Sequence, residues 1–414
     1  MEQTITGISD KQRFITLAEN AGERNTYNQA GLSALHQMEF PTTRQEAWKY
    51  TRTARLSAGE WTPALSHADV SDFDFDIANL DACQLVFVDG IFRIDLSSSE
   101  LPKGVTIDEN YPSTPSSFND MFKALAAALC SSSLRINIEK NTTSEKSLHI
   151  IHLATTDMAL CQPMITINAD QSSELAIVET FIAKSGSSSF TNRKLNIHVA
   201  ENAHIRYDKI QMEGTLNYLI NDEEIHIDKN GNFTINTLTI DGGWVRNDLR
   251  ISLDGENIEA NLHGIYLPRD KQFVDNHTKV DHRFPHCASN ELYKGILNDQ
   301  SNGVFNGKVH VHLDAQKTNA FQNNANILLS DTAQINTKPE LEIYADDVKC
   351  SHGTTTGQID ESALFYLKSR GLGEENARKL LSTAFINDVL DKIKTEAVRE
   401  FVTAELTSRN LLFA

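Results

Sequence analysis

The chain has 414 residues, with 38 Lys and Arg against 56 Asp and Glu and a net charge of −18. That length suits about two to three domains of ~150 residues and a large core that needs no disulfides. The acidic balance argues against electrostatic binding to nucleic acid or to an anionic membrane surface.

The start, "MEQTITGISDKQRF", has no apolar h-region, so no signal peptide is expected. In "ISDKQRFITLAENAGER", Phe14, Leu17 and Ala18 recur at i, i+3 and i+4, the apolar stripe of a helix. "NQAGLSALHQM" fits a second helix, ended by Pro41. "PTTRQEAWKYT" reads as a capping box, with Thr43 as cap and Glu46 reaching back to it. Trp48 follows and is expected to pack against the next zone.

From about residue 80 to 350 the pattern is that of strands. "LVFVDGIFRIDL" is a hairpin around Asp89-Gly90. Ser97–Ser99, Ser131–Ser133 and "SGSSS" at 185–189 read as loops. "PMITINADQSSELAIVE", "LNIHVAENAHIRYDKI", "EIHIDKNGNFTINTLTI" and "LRISLDGENIEANLHGIYL" each give a strand, a polar turn and a second strand. Ile167, Val199, Ile227 and Leu253 hold matching places at spacings of 32, 28 and 26, and "ILLSDTAQINTKPELEIYA" repeats the scheme. Short strands at such a period suggest a β-solenoid, in which each coil buries its apolar side on its neighbours. A β-sandwich with coincidental spacing is the alternative.

From about 358 the pattern is helical again. Asp360 can cap "DESALFYLKSRG" and Gly371 can end it. Glu374 and Glu375 suit the first turn of a next helix. Ala377, Leu380, Leu381, Ala384 and Phe385 form an apolar stripe, and Val398, Phe401, Val402 and Leu406 add a further one. Such an appendage can cap the coil end or offer a groove to a partner.

No GxxxxGK[ST], GxSxG, HExxH or CxxC occurs, and the aromatic residues do not interleave with basic ones. No nucleotide, metalloprotease or nucleic-acid site is therefore expected on this chain. No window reaches the ~18 apolar residues of a membrane span, so a cytoplasmic protein is expected. The five cysteines are scattered and odd in number, which is no disulfide framework. A third of the way from the C-terminus, histidines gather: His263, His277, His282, His286, His310, His312 and His352, with Cys287 and Cys350. His310 and His312 share one strand face opposite Val309 and Val311, a face that solvent ordinarily claims. "DNHTKVDHRFPHC" contains Pro285, reads as a turn, and matches no zinc spacing. Asp346 and Asp347 would face opposite sides of a strand, so a carbohydrate-cleaving carboxylate pair finds no support there. Cys350 and His352, two apart, would share a face; thiolate and imidazole suit iron, zinc or copper(I). Two donors do not close a site, so the rest must come from a distant segment or another chain, or the pair are inert strand residues.

"TKPELEIYADDVKCSHGTTTGQIDESALFYLKSRGL", Thr337 to Leu372, resembles the signature of the SufB/SufD family of iron–sulfur cluster assembly proteins, on its SufD side. "GVFNGKVHV" at 303, "AQKTNAFQNNANILLS" at 315 and "PTTRQEAWKYT" at 41 resemble the same family. The SufB side carries histidine–glutamate–alanine where this chain has His352-Gly353-Thr354. The resemblance implies a mainly β fold: a right-handed parallel β-helix core at 79–357, between an N-terminal helical region at 1–78 and a C-terminal helical domain at 358–414. It implies a non-ATPase scaffold that meets a SufB-like paralogue through the β-helix and a SufC-like ABC ATPase through the C-terminal helices. For that docking Phe365, Leu380, Leu381 and Phe385 are the expected contacts. In isolation the chain can pair with itself. A transient iron–sulfur cluster, or iron, is then expected at the SufB interface, with His352 as ligand and Cys350 as helper. The family is linked to a reduced flavin too, for which no motif is visible here. The competing reading is a purely structural adaptor whose Cys350 and His352 are inert.

Overall fold

Alternating apolar residues broken by short polar corners wind this chain into a parallel β-helix. The computed structural model describes residues 10–21, 25–63, 70, 73, 75–109 and 118–411. An 11-stranded and a 10-stranded sheet lie face to face. Odd and even strands of the solenoid alternate between them, giving about eight coils, and neighbouring coils pair in parallel. That ladder rules out the sandwich alternative, whose neighbours would be antiparallel.

The corners explain the repeat. Asn202, Asn230 and Asn257 take positive φ of 59°, 57° and 58°, which Asn tolerates better than most residues. Their amides form a ladder: Asn230 donates to Asn202 at 2.9 Å, and Asn257 to Asn230 at 3.3 Å. Val199, Ile227 and Leu253 stand in one register row, as the spacing predicts. Ile167 does not belong to it. It pairs with Ile197, while Val199 pairs with Ala169. The two-residue offset keeps the same face inward, so periodicity alone could not detect it.

Inward side chains fill the lumen with aliphatic rows such as Ile167, Ile197, Ile225 and Ile251. The first end is closed by antiparallel pairs, Ala82–Val88 with Ile91–Phe92 and Val105–Glu109 with Ser132–Ile138. Asp89 and Gly90 take positive φ of 49° and 80°, as the hairpin requires. Two serine patches are less loop-like than expected. Ser132 and Ser133 open a strand, with Ser132 Oγ accepting from the Phe92 amide at 3.0 Å, and Ser189 opens another.

Helices cover both outer faces. On the first sheet lie α1 (Asp10–Asn20), α2 (Thr26–Gln37), α3 (Ala54–Ala58) and α4 (Met121–Ala128). Phe14, Leu35, Phe122 and Leu125 pack there with Trp61 on Phe190, Ile220 and Trp244. Trp48 joins them, its ring 4.0 Å from the Arg246 guanidinium. Helix α4 falls inside the zone read as strands. The Thr43 capping box does not form. Glu46–Trp48 is a single 3-10 turn without a side-chain cap, and Glu46 instead pairs with Lys338 on the distant penultimate strand. A true capping box joins Asn25 and Asn28 at the start of α2.

On the second sheet lie α5 (Glu361–Ser369), α6 (Glu374–Leu390) and α7 (Glu396–Ser408). Asp360 caps α5, accepting from the Ser362 and Ala363 amides at 2.8 and 3.4 Å. Gly371, at φ 93°, ends it. Ile386, Val389, Leu390, Val398, Val402 and Leu406 pack on Val178, Ile210, Leu238, Ile265 and Ile296 of the sheet. The buried face of α6 is thus rotated from the expected stripe. Ala377 is buried, Leu380, Leu381 and Phe385 are half-buried, and Ala384 is exposed. The sheet lies under the second half of α6, where Ile386, Val389 and Leu390 are buried and, of the stripe residues, only Phe385 packs against it. These helices run along the flank of the solenoid, not across its end. No described helix is long and apolar enough to cross a membrane.

Candidate functional site

The far end of the β-helix is open. Gln334–Ile343 and Lys349–Gly357 are the terminal strands of the two sheets, and no described strand pairs beyond either. Lumen glycines further back are tightly covered: a Cβ on Gly264 would strike Tyr293, and one on Gly295 would strike Tyr266. On the last strand every residue from Ser351 to Gly357 is exposed, on the lumen-side face and the outer face alike. Ile343 and Tyr344, 39% and 59% exposed, add apolar surface beside this end.

Register places the two donors. Ala320 and Gln322, both buried, point into the lumen from the strand below. Cys350 pairs with Ala320 and His352 with Gln322. Both therefore share the lumen-side face of the last strand, as the two-residue spacing predicts. Cys350 is half-buried against Val309, Val311, Ala320 and Leu341. Burial pushes its thiol above the ordinary range, with the Ala320 backbone opposing. His352 is exposed. Beneath it the row continues through Gln322 to Glu291. Gln322 Nε2 donates to Glu291 Oε2 at 2.7 Å, while Gln322 Oε1 and Glu291 Oε1 have no partner. Nothing in the sequence marked Gln322 or Glu291. Inward parity, counted from Cys350 and carried down two coils, would have found them.

The other histidines do not gather here. The segment expected as a turn at Pro285 is largely a strand, Phe273–His282, because the chain turns only after Arg283. Alternation then scatters its histidines. His277 faces outward, 3.0 Å from Asp275. His282 faces the lumen and contacts Ser289 Oγ at 2.9 Å, and burial lowers its pKa to about 4. His286 occupies a corner at φ 62°. Cys287 is buried with Sγ 3.2 Å from the Gly255 carbonyl. His263 lies under the C-terminal helices, held neutral with a pKa of about 4 by burial and by Lys392 and Lys394. His310 faces outward on the first sheet, as expected, but His312 lies just past the end of that strand. Asp346 and Asp347 lie on a bend and not on a strand, because the last corner falls there, and Asp347 pairs with Lys317.

The four expected docking residues differ in kind. Phe365 on α5 is 74% exposed, beside Tyr366 at 56%. Leu381 packs on Ile359, Leu364 and Ala377, tying α5 to α6. Phe385 packs on the second sheet, with the Lys294 ammonium 4.7 Å from its ring and donating to its carbonyl at 2.6 Å. Leu380 is half-buried.

Residues 152–385 match the family model "SUF system FeS cluster assembly, SufBD core domain", and residues 5–150 match "SufBD protein N-terminal region". The chain is 28% identical over 406 residues to the iron-sulfur cluster assembly protein SufD of Escherichia coli, covering 96% of each. It is 29% identical over 391 residues to an iron-sulfur cluster assembly SufBD family protein of Synechocystis, covering 88% of this chain and 86% of that one. A Mycobacterium leprae protein of the same description is 36% identical over 178 residues, 41% of this chain and 45% of that protein.

Proposed function

We propose, from the premise that the chain belongs to the SufBD family and is a component of SUF iron–sulfur cluster assembly, that it acts as a non-ATPase scaffold. In this reading His352 and Cys350 hold half of a nascent cluster, and a SufB-like partner seated on the open end completes it. One observation carries the proposal: two metal donors share the lumen-side face of the terminal strand, and among the described residues no further coil covers them.

The physical argument runs through the edges. Each terminal strand presents unpaired N–H and C=O groups, a template for pairing with another chain. A second β-helix docked there would cover Ile343 and Tyr344 and continue the lumen. The cluster is cargo, held transiently, and iron enters at the same place. Clusters ordinarily take four protein ligands, so two donors on each side suit a shared site. The raised Cys350 pKa keeps a proton on sulfur until a metal displaces it. Gln322 Oε1 can accept from the ring nitrogen of His352 that does not bind metal, which fixes the tautomer. Exposed Phe365 on α5, the helix whose Leu364 packs on Leu381 of α6, offers the face for a SufC-like ATPase, which would bind the nucleotide. A copy of this chain can occupy the open end when the paralogue is absent. The setting is the cytoplasm.

The packing of Cys350 among Val309, Val311 and Leu341 favours a second reading, in which the chain only stabilises its partners. Co-purification with both partners followed by anaerobic cluster reconstitution separates the two. With His352→Ala the complex is expected to form and cluster yield to fall severalfold; undiminished yield in an intact complex establishes the adaptor. Phe365→Asp is expected to weaken ATPase binding at least tenfold, a loss typical of an aromatic anchor, with the melting temperature unchanged. Unaltered binding moves the docking face elsewhere.

A further inference from the structure

Near the open end, on the outer face of the first sheet, three side chains converge that the reading above does not use. Asp281 is the penultimate residue of the strand Phe273–His282, and His310 stands above it in register. His312 follows just beyond the strand Asn302–Val311. His310 Nδ1 lies 2.6 Å from Asp281 Oδ1, and His312 Nε2 lies 3.4 Å from the same oxygen. One donor atom from each residue lies within 4.8 Å of the other two. The imidazole centroids are 4.2 Å apart, edge to face, and Tyr344 packs on His310 at 5.6 Å.

The Asp281 carboxylate is divided between two kinds of neighbour. Its Oδ2 takes the Lys279 ammonium at 2.8 Å and lies 3.6 Å from the Arg283 guanidinium. Its Oδ1 is left to the two rings. His312 Nε2 is shielded from water yet makes no hydrogen bond, an arrangement that costs free energy unless something fills it. Four-coordinate and six-coordinate ions with bonds of about 2.1 Å place donors about 3.0–3.4 Å apart. The His312–Asp281 spacing fits, and the His310–Asp281 contact need open only slightly. Glu342, next in the row above His310, is engaged by Lys308 at 2.7 Å.

We infer that Asp281, His310 and His312 form a second metal site, for a divalent first-row transition-metal ion with open coordination positions. Two imidazoles and one carboxylate oxygen suit such ions, whereas magnesium and calcium demand more oxygen. Lys279 and Arg283 sharpen that choice: they weaken any site that relies on carboxylate charge and leave imidazole-binding ions favoured. This site faces away from the lumen and does not depend on the role of Cys350 and His352.

The test titrates the metal-stripped full chain with Co2+ alone, by calorimetry and visible absorbance. One ion per chain is expected, without a thiolate charge-transfer band. His312→Ala removes a ring that is 43% exposed and so leaves the fold intact; it should weaken binding at least tenfold, as should Asp281→Asn. The double variant Cys350→Ser, His352→Ala removes any cobalt held through sulfur and should leave the band-free ion bound as before. Absence of binding at millimolar Co2+, or binding that His312→Ala leaves unchanged, overturns the inference.

Discussion

The middle and the end of one lumen compensate buried charge in opposite ways, although both leave some polar atoms unpartnered, Arg193 Nη1 and His152 Nδ1 among them. In the middle coils Glu179, Arg193, Lys209 and Glu223 all point inward with no exposure. Arg193 Nε lies 3.0 Å from Glu179, and its Nη2 lies 3.1 Å from Glu223. Lys209 reaches Glu223 at 2.7 Å, and His152 reaches Glu179 at 2.9 Å. Two acids meet two bases, and the charges close on themselves. At the open end Glu291 and Gln322 sit beneath His352 with two oxygens unpartnered. The groups acting on Glu291 there, Thr278 and Gln322, are neutral. A solenoid makes every inward position equivalent in geometry, so what separates framework from site is whether a further coil and a counter-charge lie above.

Breaking the closed network gives the largest expected effect. Arg193→Ala leaves Glu179 and Glu223 buried without their shared cation, which should cost about 3–5 kcal/mol in urea unfolding. His352→Ala, at an exposed end position, should stay within about 0.5 kcal/mol. A loss below 1 kcal/mol for Arg193→Ala would mean that water or relaxation screens the middle lumen, and the contrast with the open end would fail.

Much of this was legible in the sequence. Strand alternation, the polar turns and the Asp89-Gly90 hairpin are local signals, and the shared face of Cys350 and His352 follows from a period of two. What escaped depends on contacts between distant segments. Glu46 looks like a helix-capping residue until Lys338, nearly three hundred positions away, takes its carboxylate. Helix α4 is short and sits between strands, so its apolar run "MFKALAAA" fits either period. The rotation of α6 comes from the sheet beneath Ile386 and Val389, which its own stripe does not encode. The lumen charges stand at inward parity, but nothing local to Glu179 announces Arg193 on the opposite sheet. Asp281 joins His310 and His312 only through cross-coil register.

Acid and base titration of two lumen carboxylates should sharpen the comparison, with smaller effects of opposite sign. Burial works to raise the Glu179 pKa, but Arg193 and the His152 hydrogen bond outweigh it and hold it at about 2. A carboxyl held below its unfolded value stabilises the fold above about pH 4.5, and that stability is lost as pH falls toward 2. Burial raises Glu291 to about 7, with Thr278 and Gln322 only partly opposing. For Glu291 the sign reverses: its contribution is full below about pH 4.5 and is lost as pH rises through 7. Glu179→Gln should therefore destabilise the chain at pH 7 and flatten its acid limb. Glu291→Gln should stabilise it at pH 8, by about 1–3 kcal/mol, with little change at pH 4. The measurement is urea unfolding at each pH. If Glu291→Gln instead destabilises at pH 8, a cation or ordered solvent neutralises the row beneath His352, and the end of the lumen is as fully compensated as its middle.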